Sequence, residues 1–315
     1  MKILLGVDFS RDSKTAIRFL SGIQFPANSE LFLVHVKSGY EALQIGHSRE
    51  VEKSLNTLYK KAIDRSRRNL EQIKDKLGNA RLDVRTMMKE GNAGKEILSV
   101  LDQEHIDLAV LGTRGLSGIQ RFLLGSVSEW ILQDAPCPVL VVRGSSHWIH
   151  RRIRVLFTTD GSTEAQAALK FLNALRFPAE SEIIVFHVVE GTDYRIVQDD
   201  FRELKVDSFG QVDLAKVSQD IQSRKEIAGR ALVKEAKRGL INRHSNADHI
   251  STGHAAEEIL KAARRFKTNL IVMGSRGLTG IKQKFLESVS TRVARHAPCS
   301  VLVARQLPKN ARIGL

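Results

Sequence analysis

The stretch "ILLGVDFSRDSKTAIRFLSGIQFPANSELFLVHV", residues 3–36, decides the fold. A short unbroken apolar run ends at Asp8, and a second fills residues 30–36. Between them Ala16, Ile17, Leu20 and Ile23 recur at helical spacing. Continuous apolar runs this short are strands buried on both faces, and the middle segment is an amphipathic helix. A strand, a helix and a strand in this order form a right-handed crossover in a parallel sheet.

The same pattern returns at 155–188 as "VLFTTDGSTEAQAALKFLNALRFPAESEIIVFHV", at a constant offset of 152. Farther on, "EGNAGKEIL" matches "TGHAAEEIL" and "APCPVLVVR" matches "APCSVLVAR", both at an offset of 162. The extra residues fall in "EGTDYRIVQDDFRELKVDSFGQVD" (190–213) of the second copy. A repeat this long is a duplicated domain and no solenoid unit. The polar "GSSHWIHRR" (144–152) is the linker, so domains are expected at 1–144 and 152–307.

Continuing along the first copy, helices are expected at 49–77, 93–104 and 126–134, and strands at 81–88, 106–112 and 138–143. The expected fold class is α/β: two tandem doubly wound domains, each a five-stranded parallel sheet in the order 3-2-1-4-5 with helices on both faces. The apolar last strands, "PVLVVR" and "SVLVAR", need covering, which points to the two domains packing as an intramolecular pseudo-dimer.

Composition narrows the function. The chain is 42% hydrophobic and 27% charged, as in a globular protein with a sizeable core, and has no apolar run long enough to span a membrane. "MKILLGVDFS" lacks a cleavage site and reads as a strand, not a leader. Cys137 and Cys299 show no metal spacing, and so few thiols fit a reducing cytoplasm, the expected location. The net charge of +14 is scattered along helices punctuated by acids, as in "KKAIDRSRRNLEQIKDK" (60–76), so it describes solvated faces and not a nucleic-acid surface.

In open α/β sheets ligands bind beyond the carboxyl ends of the strands, where strand order reverses. Asp8 closes strand one and Gly112 closes strand four, neighbours at that reversal. After strand four comes Gly112-x2-Gly115-x9-Gly125-Ser126. Glycines there permit positive φ and a close approach of backbone amides to an anion, and Ser126 opens a helix whose unpaired N–H groups attract phosphate. Gly94-Lys95 does not make a P-loop, because no Ser or Thr follows the lysine. "HISTGH" (249–254) follows a third strand and is set aside as a nucleotidyl-transferase motif, and His35 and His187 read as structural. No paired carboxylates or nucleophile constellation gather at the loop, so no catalytic residue and no metal site are assigned.

The glycine pattern after strand four, "VD-x-S" after strand one and the closing "APCPVLVVR" resemble the universal stress protein family in its tandem form, over 2–143 and 153–305. The resemblance implies ATP at this crevice, in a stress-response or regulatory protein; Mg2+ is a candidate companion cation. Asp8 would contact adenosine, the backbone at Val36 would meet adenine, and Gly112 and Gly115 would pass ribose and phosphates. Gly125, Ser126 and Val127 would donate to phosphates. Ser10 and Gly91 would line the crevice, while Arg114 and Arg121 would screen charge. Phe9 departs from the family, which has something smaller after the Asp.

The second copy keeps Asp160, Gly274, Gly277 and Ser288 but carries Glu287 where Gly125 stands. A carboxylate there brings a Cβ, a φ conflict and a like charge beside phosphate. Unit charges about 4 Å apart at an effective dielectric of about 20 repel by about 4 kcal/mol, and a quarter of that weakens binding about fivefold. An impaired second site is therefore expected. Any ATP hydrolysis or self-phosphorylation would be slow, and further association into a homodimer is compatible. The contrasting function class is a nucleotide-free interaction module whose basic surface binds acidic partners or nucleic acid.

Overall fold

The computed structural model describes residues 1–37, 49–77, 82–113, 124–144, 152–191, 214–241, 245–275 and 288–305. In the first half, β1 (Lys2–Gly6), α1 (Arg11–Ser21), β2 (Glu30–Lys37) and α2 (Arg49–Leu77) are followed by β3 (Asp83–Glu90) and α3 (Ala93–Gln103). β4 (Leu108–Gly112), α4 (Ser126–Asp134) and β5 (Val139–Val142) complete it. The second half runs β6 (Arg154–Thr158), α5 (Thr163–Ala174), β7 (Glu182–Val189), α6 (Leu214–Arg238) and β8 (Ser245–Thr252). It ends with α7 (Ala255–Arg265), β9 (Leu270–Gly274), α8 (Val289–His296) and β10 (Ser300–Ala304).

The strand order is β3-β2-β1-β4-β5-β10-β9-β6-β7-β8, which is 3-2-1-4-5 written twice. Every pairing within a half is parallel, as the crossover helices require. Strands β5 and β10 pair antiparallel and join the halves, with Val141 opposite Val301 and Leu140 opposite Leu302. The apolar last strands thus cover each other, and ten strands form one sheet.

Strand residues alternate between two cores. Ile3 and Leu5 join Phe19, Leu70, Phe171 and Val233 on the face of α1, α2, α5 and α6. Leu4 joins Ile97, Ile131, Ile259 and Val293 on the face of α3, α4, α7 and α8. Both faces are therefore apolar, which is why the strands read as continuous hydrophobic runs.

Contacts between the halves are reciprocal. Gln24 and Arg176, equivalent residues, exchange two backbone hydrogen bonds of 3.0 Å. Arg143, just past β5, donates to the carbonyls of Ala294, Arg295 and Ala297 at the end of α8. Its counterpart Arg305 donates to those of Leu132 and Gln133 in α4. Each arginine satisfies last-turn carbonyls that have no partner within their own helix.

Candidate functional site

β1 lies between β2 and β4, so the turn after β1 and the segment after β4 emerge side by side. The ladder of β1 stops at Gly6, although the Val7 N–H still reaches Val34 O at 2.8 Å. Asp8 is the first residue beyond that bond. Its Oδ1 accepts the Ser10 N–H at 3.0 Å, and Ser10 caps α1 by accepting from Ser13 N at 3.2 Å. Asp8 is thereby held half-buried at the mouth of the sheet.

Phe9 sits between these residues at φ +61°. A left-handed residue with a Cβ costs about 1–2 kcal/mol. Phe9 offsets that cost by packing its ring 4.6 Å from His35 and against the core on the α1 and α2 face. His35 Nδ1 donates to Val7 O at 2.7 Å, tying the ends of β1 and β2, as His187 does to Thr159 O at 2.7 Å in the second half. Both histidines are structural locks. The position of Phe9 is taken by Gly161 at φ +80°, and a Cβ there would come within 2.8 Å of Leu232 on α6. The turn demands a left-handed residue in both halves; the first half meets it with an aromatic.

Gly112 is glycine for a different reason from the one its sequence suggests. It has no positive φ; instead a Cβ would meet the backbone carbon of Asp12, in α1, at 2.9 Å. Gly274 faces Glu164 in the same way, at 2.8 Å. Around Gly112, Thr113 Oγ1 donates to Asp12 Oδ2 at 2.6 Å and Ser128 Oγ donates to Gly112 O at 2.7 Å. Gly125 N–H donates to Thr113 O at 2.7 Å, so the two ends of the 113–125 segment are tied together. Asp12, Thr113 and Ser128 are residues that sequence reasoning missed. The available signal was the second serine of "SVS", present in both copies and bonded in both: Ser290 Oγ donates to Ser275 O at 2.9 Å.

The two helices that follow begin differently. α4 starts at Ser126 with Gly125 as its cap residue, and no side chain among the described residues caps it. α8 starts one position later, at Val289, and Ser288 caps it by accepting from Thr291 N at 3.2 Å. The Ser288 hydroxyl also lies 2.8 Å from Thr291 Oγ1 and 3.0 Å from Ser290 Oγ. The equivalent serines thus have different duties: Ser288 closes its helix, whereas Ser126 is the exposed first residue of an open one. By its sequence Ser126 could serve as helix cap or as phosphate donor; the cap position belongs to Gly125. A glutamate at the Gly125 position would meet no φ conflict, contrary to expectation, because Gly125 has φ −70° and ψ 151°, an extended conformation open to any residue.

Val36 is half-buried on β2, beside Lys89 of β3, and packs toward the core on the α3 and α4 face. Val127 packs against the same core. Gly91 follows β3 at φ +132°, its N–H on Lys37 O at 2.9 Å, so it closes the β2 and β3 ends beside that strand. Asp160 repeats the Asp8 turn, its Oδ1 accepting from Ser162 N at 3.0 Å and Ser162 Oγ at 2.6 Å. Arg114, Gly115, Arg121, Gly277 and Glu287 lie outside the described residues.

The segments set aside from sequence are helix entries. Asn92 caps α3 by accepting from Lys95 N at 3.2 Å, and Gly94 is packed so closely that a Cβ would press into the Trp130 ring. Burial pushes the thiols of Cys137 and Cys299 up to about 12, which makes them poor nucleophiles and metal ligands. No group of three or more His, Cys, Asp or Glu with metal-binding geometry occurs among the described residues. A shallow furrow of about 250 Å³ lies between edge strand β8 and α7, not at the β6 and β9 junction. Its acid, Glu258, is held below the usual carboxylate range by Lys261 and Ser251, 2.7 and 2.5 Å away. No helix among the described residues is long and apolar enough to cross a membrane.

A universal stress protein of Mycolicibacterium smegmatis is 27% identical over 312 residues, covering 96% of both chains. One from Methanocaldococcus jannaschii is 27% identical over 152 residues, 45% of this chain and 94% of its own length. The crystal structure of a universal stress protein from Archaeoglobus fulgidus superposes with a TM-score of 0.59 over 96% of both chains at 22% identity, which shows a shared fold. The universal stress protein family profile matches residues 1–143 and again 152–305, so both halves carry it and the chain belongs to the universal stress protein family.

Proposed function

We propose that the first half, residues 1–144, binds an adenine nucleotide, ATP, at the β1 and β4 junction, and that the chain is a nucleotide-responsive stress or regulatory protein. The observation that carries this reading is the start of α4. A helix opened by glycine, with no side-chain cap among the described residues, leaves first-turn amides and the positive end of the helix dipole for an anion. Ser126 and Val127 would supply amides to phosphates, Gly125 would let them approach, and Gly112 and Gly115 would pass ribose and phosphate. Asp8 accepts from Ser10 through Oδ1, which leaves Oδ2 for a ribose hydroxyl. Ser10 and Gly91 would border the crevice, the Val36 backbone would meet adenine, and Arg114 and Arg121 would screen the phosphates, with Mg2+ sharing that role.

In the second half, residues 152–307, the Ser288 hydroxyl already engages the first turn of α8, and Glu287 adds a like charge. That site, with Asp160, Gly274 and Gly277, is impaired. The halves act as an intramolecular pseudo-dimer, and ATP alters the surface that the segment between Gly112 and Gly125 offers to partners. The protein serves as a binding module, with hydrolysis no more than slow.

Mass spectrometry of a denatured extract of the purified chain, before and after incubation with ATP, tests the reading. ATP or ADP in near-stoichiometric yield is expected. A chain that carries no nucleotide and acquires none belongs instead to the class of nucleotide-free interaction modules.

A further inference from the structure

Within the reciprocal contacts between the halves, one ion pair is one-sided. Arg295, in the last turn of α8, places Nη2 2.5 Å from Oε1 of Glu129, in the first turn of α4. The mirror-related positions hold Thr291 in place of Glu129 and Gln133 in place of Arg295, so no charge pair runs the other way. The arginine clamps that hold the two helices side by side, Arg143 and Arg305, are present on both sides. Two-fold packing therefore does not account for the Glu129–Arg295 pair; the difference between the two helix starts accompanies it.

Glu129 stands one turn from the open end of α4, its N–H on Gly125 O at 2.8 Å. A carboxylate in that turn favours the helix when the end is empty and opposes an anion when it is filled. Its partner Arg295 is about as buried as Glu129, with side chains 28% and 30% exposed, so solvent screens the pair only in part. Resting on the nucleotide reading of that helix, we infer that Arg295 is a positioning residue for the first-half site. Supplied by the second half, it neutralises Glu129 and holds its carboxylate against α8, away from the phosphates. The second half, poor as a binder, thereby sets the affinity of the first.

The test is a double-mutant cycle read by ATP titration at low and high salt. R295Q, which writes in the residue found at the mirror position, should weaken ATP binding about threefold to tenfold at low salt and less at high salt. E129T, the residue of the second half, should bind slightly more tightly than the unsubstituted chain. R295Q added to E129T should change nothing, and R295K should restore part of the loss. Equal losses from R295Q with and without Glu129, or no loss at all, overturn the inference and leave nucleotide binding standing. An unsubstituted chain that binds no ATP overturns both.

Discussion

The first turns of α4 and α8 are spelled almost alike, Ser126-Val127-Ser128 and Ser288-Val289-Ser290, yet the helices start one residue apart. The residue before the serine differs between them: glycine in one half, glutamate in the other. Where Gly125 takes the cap position the helix end stays open, and where Ser288 takes it the end is closed by a hydroxyl. Duplication preserved the packing of the fold while the two helix ends diverged. Because each half holds the other's last-turn carbonyls, a change in one end acts within a shared frame.

The largest effect is expected at Gly94. Its second-half equivalent is Ala256, and Trp130 is replaced there by Arg292, a side chain that can swing aside toward Glu257. G94A drives a Cβ into the Trp130 ring and should destabilise the chain by about 1–3 kcal/mol in urea unfolding. Adding W130R, which completes the second-half pair, should recover most of that loss. A neutral G94A would mean that α3 and α4 tolerate a different packing from the one described.

A smaller effect sharpens the contrast between the serines. S288A removes a side-chain cap and should cost about 1 kcal/mol, whereas S126A removes an exposed hydroxyl that caps nothing and should stay within about 0.5 kcal/mol. Thermal denaturation of both variants reads the difference directly. Equal losses would show that the two helices start alike.

The strands, helices and their order were legible because they are written in local periodicity: Ile3 to Val7, Ala16 to Ile23 and Leu31 to Val36 need no distant partner to be recognised. Both ends of β3 and the start of β4 shifted by about two residues, as expected of boundaries set by hydrogen bonding and not by hydrophobicity. The site was legible only as a neighbourhood. Gly112 was singled out for conformational freedom, but its cause is the backbone of Asp12, 100 residues earlier in the chain, and no local pattern announces that contact. Phe9 looked like a departure at the ligand and proved to be a strained turn residue anchored on His35. Arg295 was invisible as a partner of Glu129 because the pair exists only through the β5 and β10 pairing.

The unequal halves are tested most directly by calorimetric titration of ATP into the whole chain and into G125E, which writes the second-half residue into the first. One nucleotide per unsubstituted chain is expected, with a loss of at least about fivefold in affinity in G125E. Two equal sites per chain, or binding that survives G125E unchanged, would contradict it.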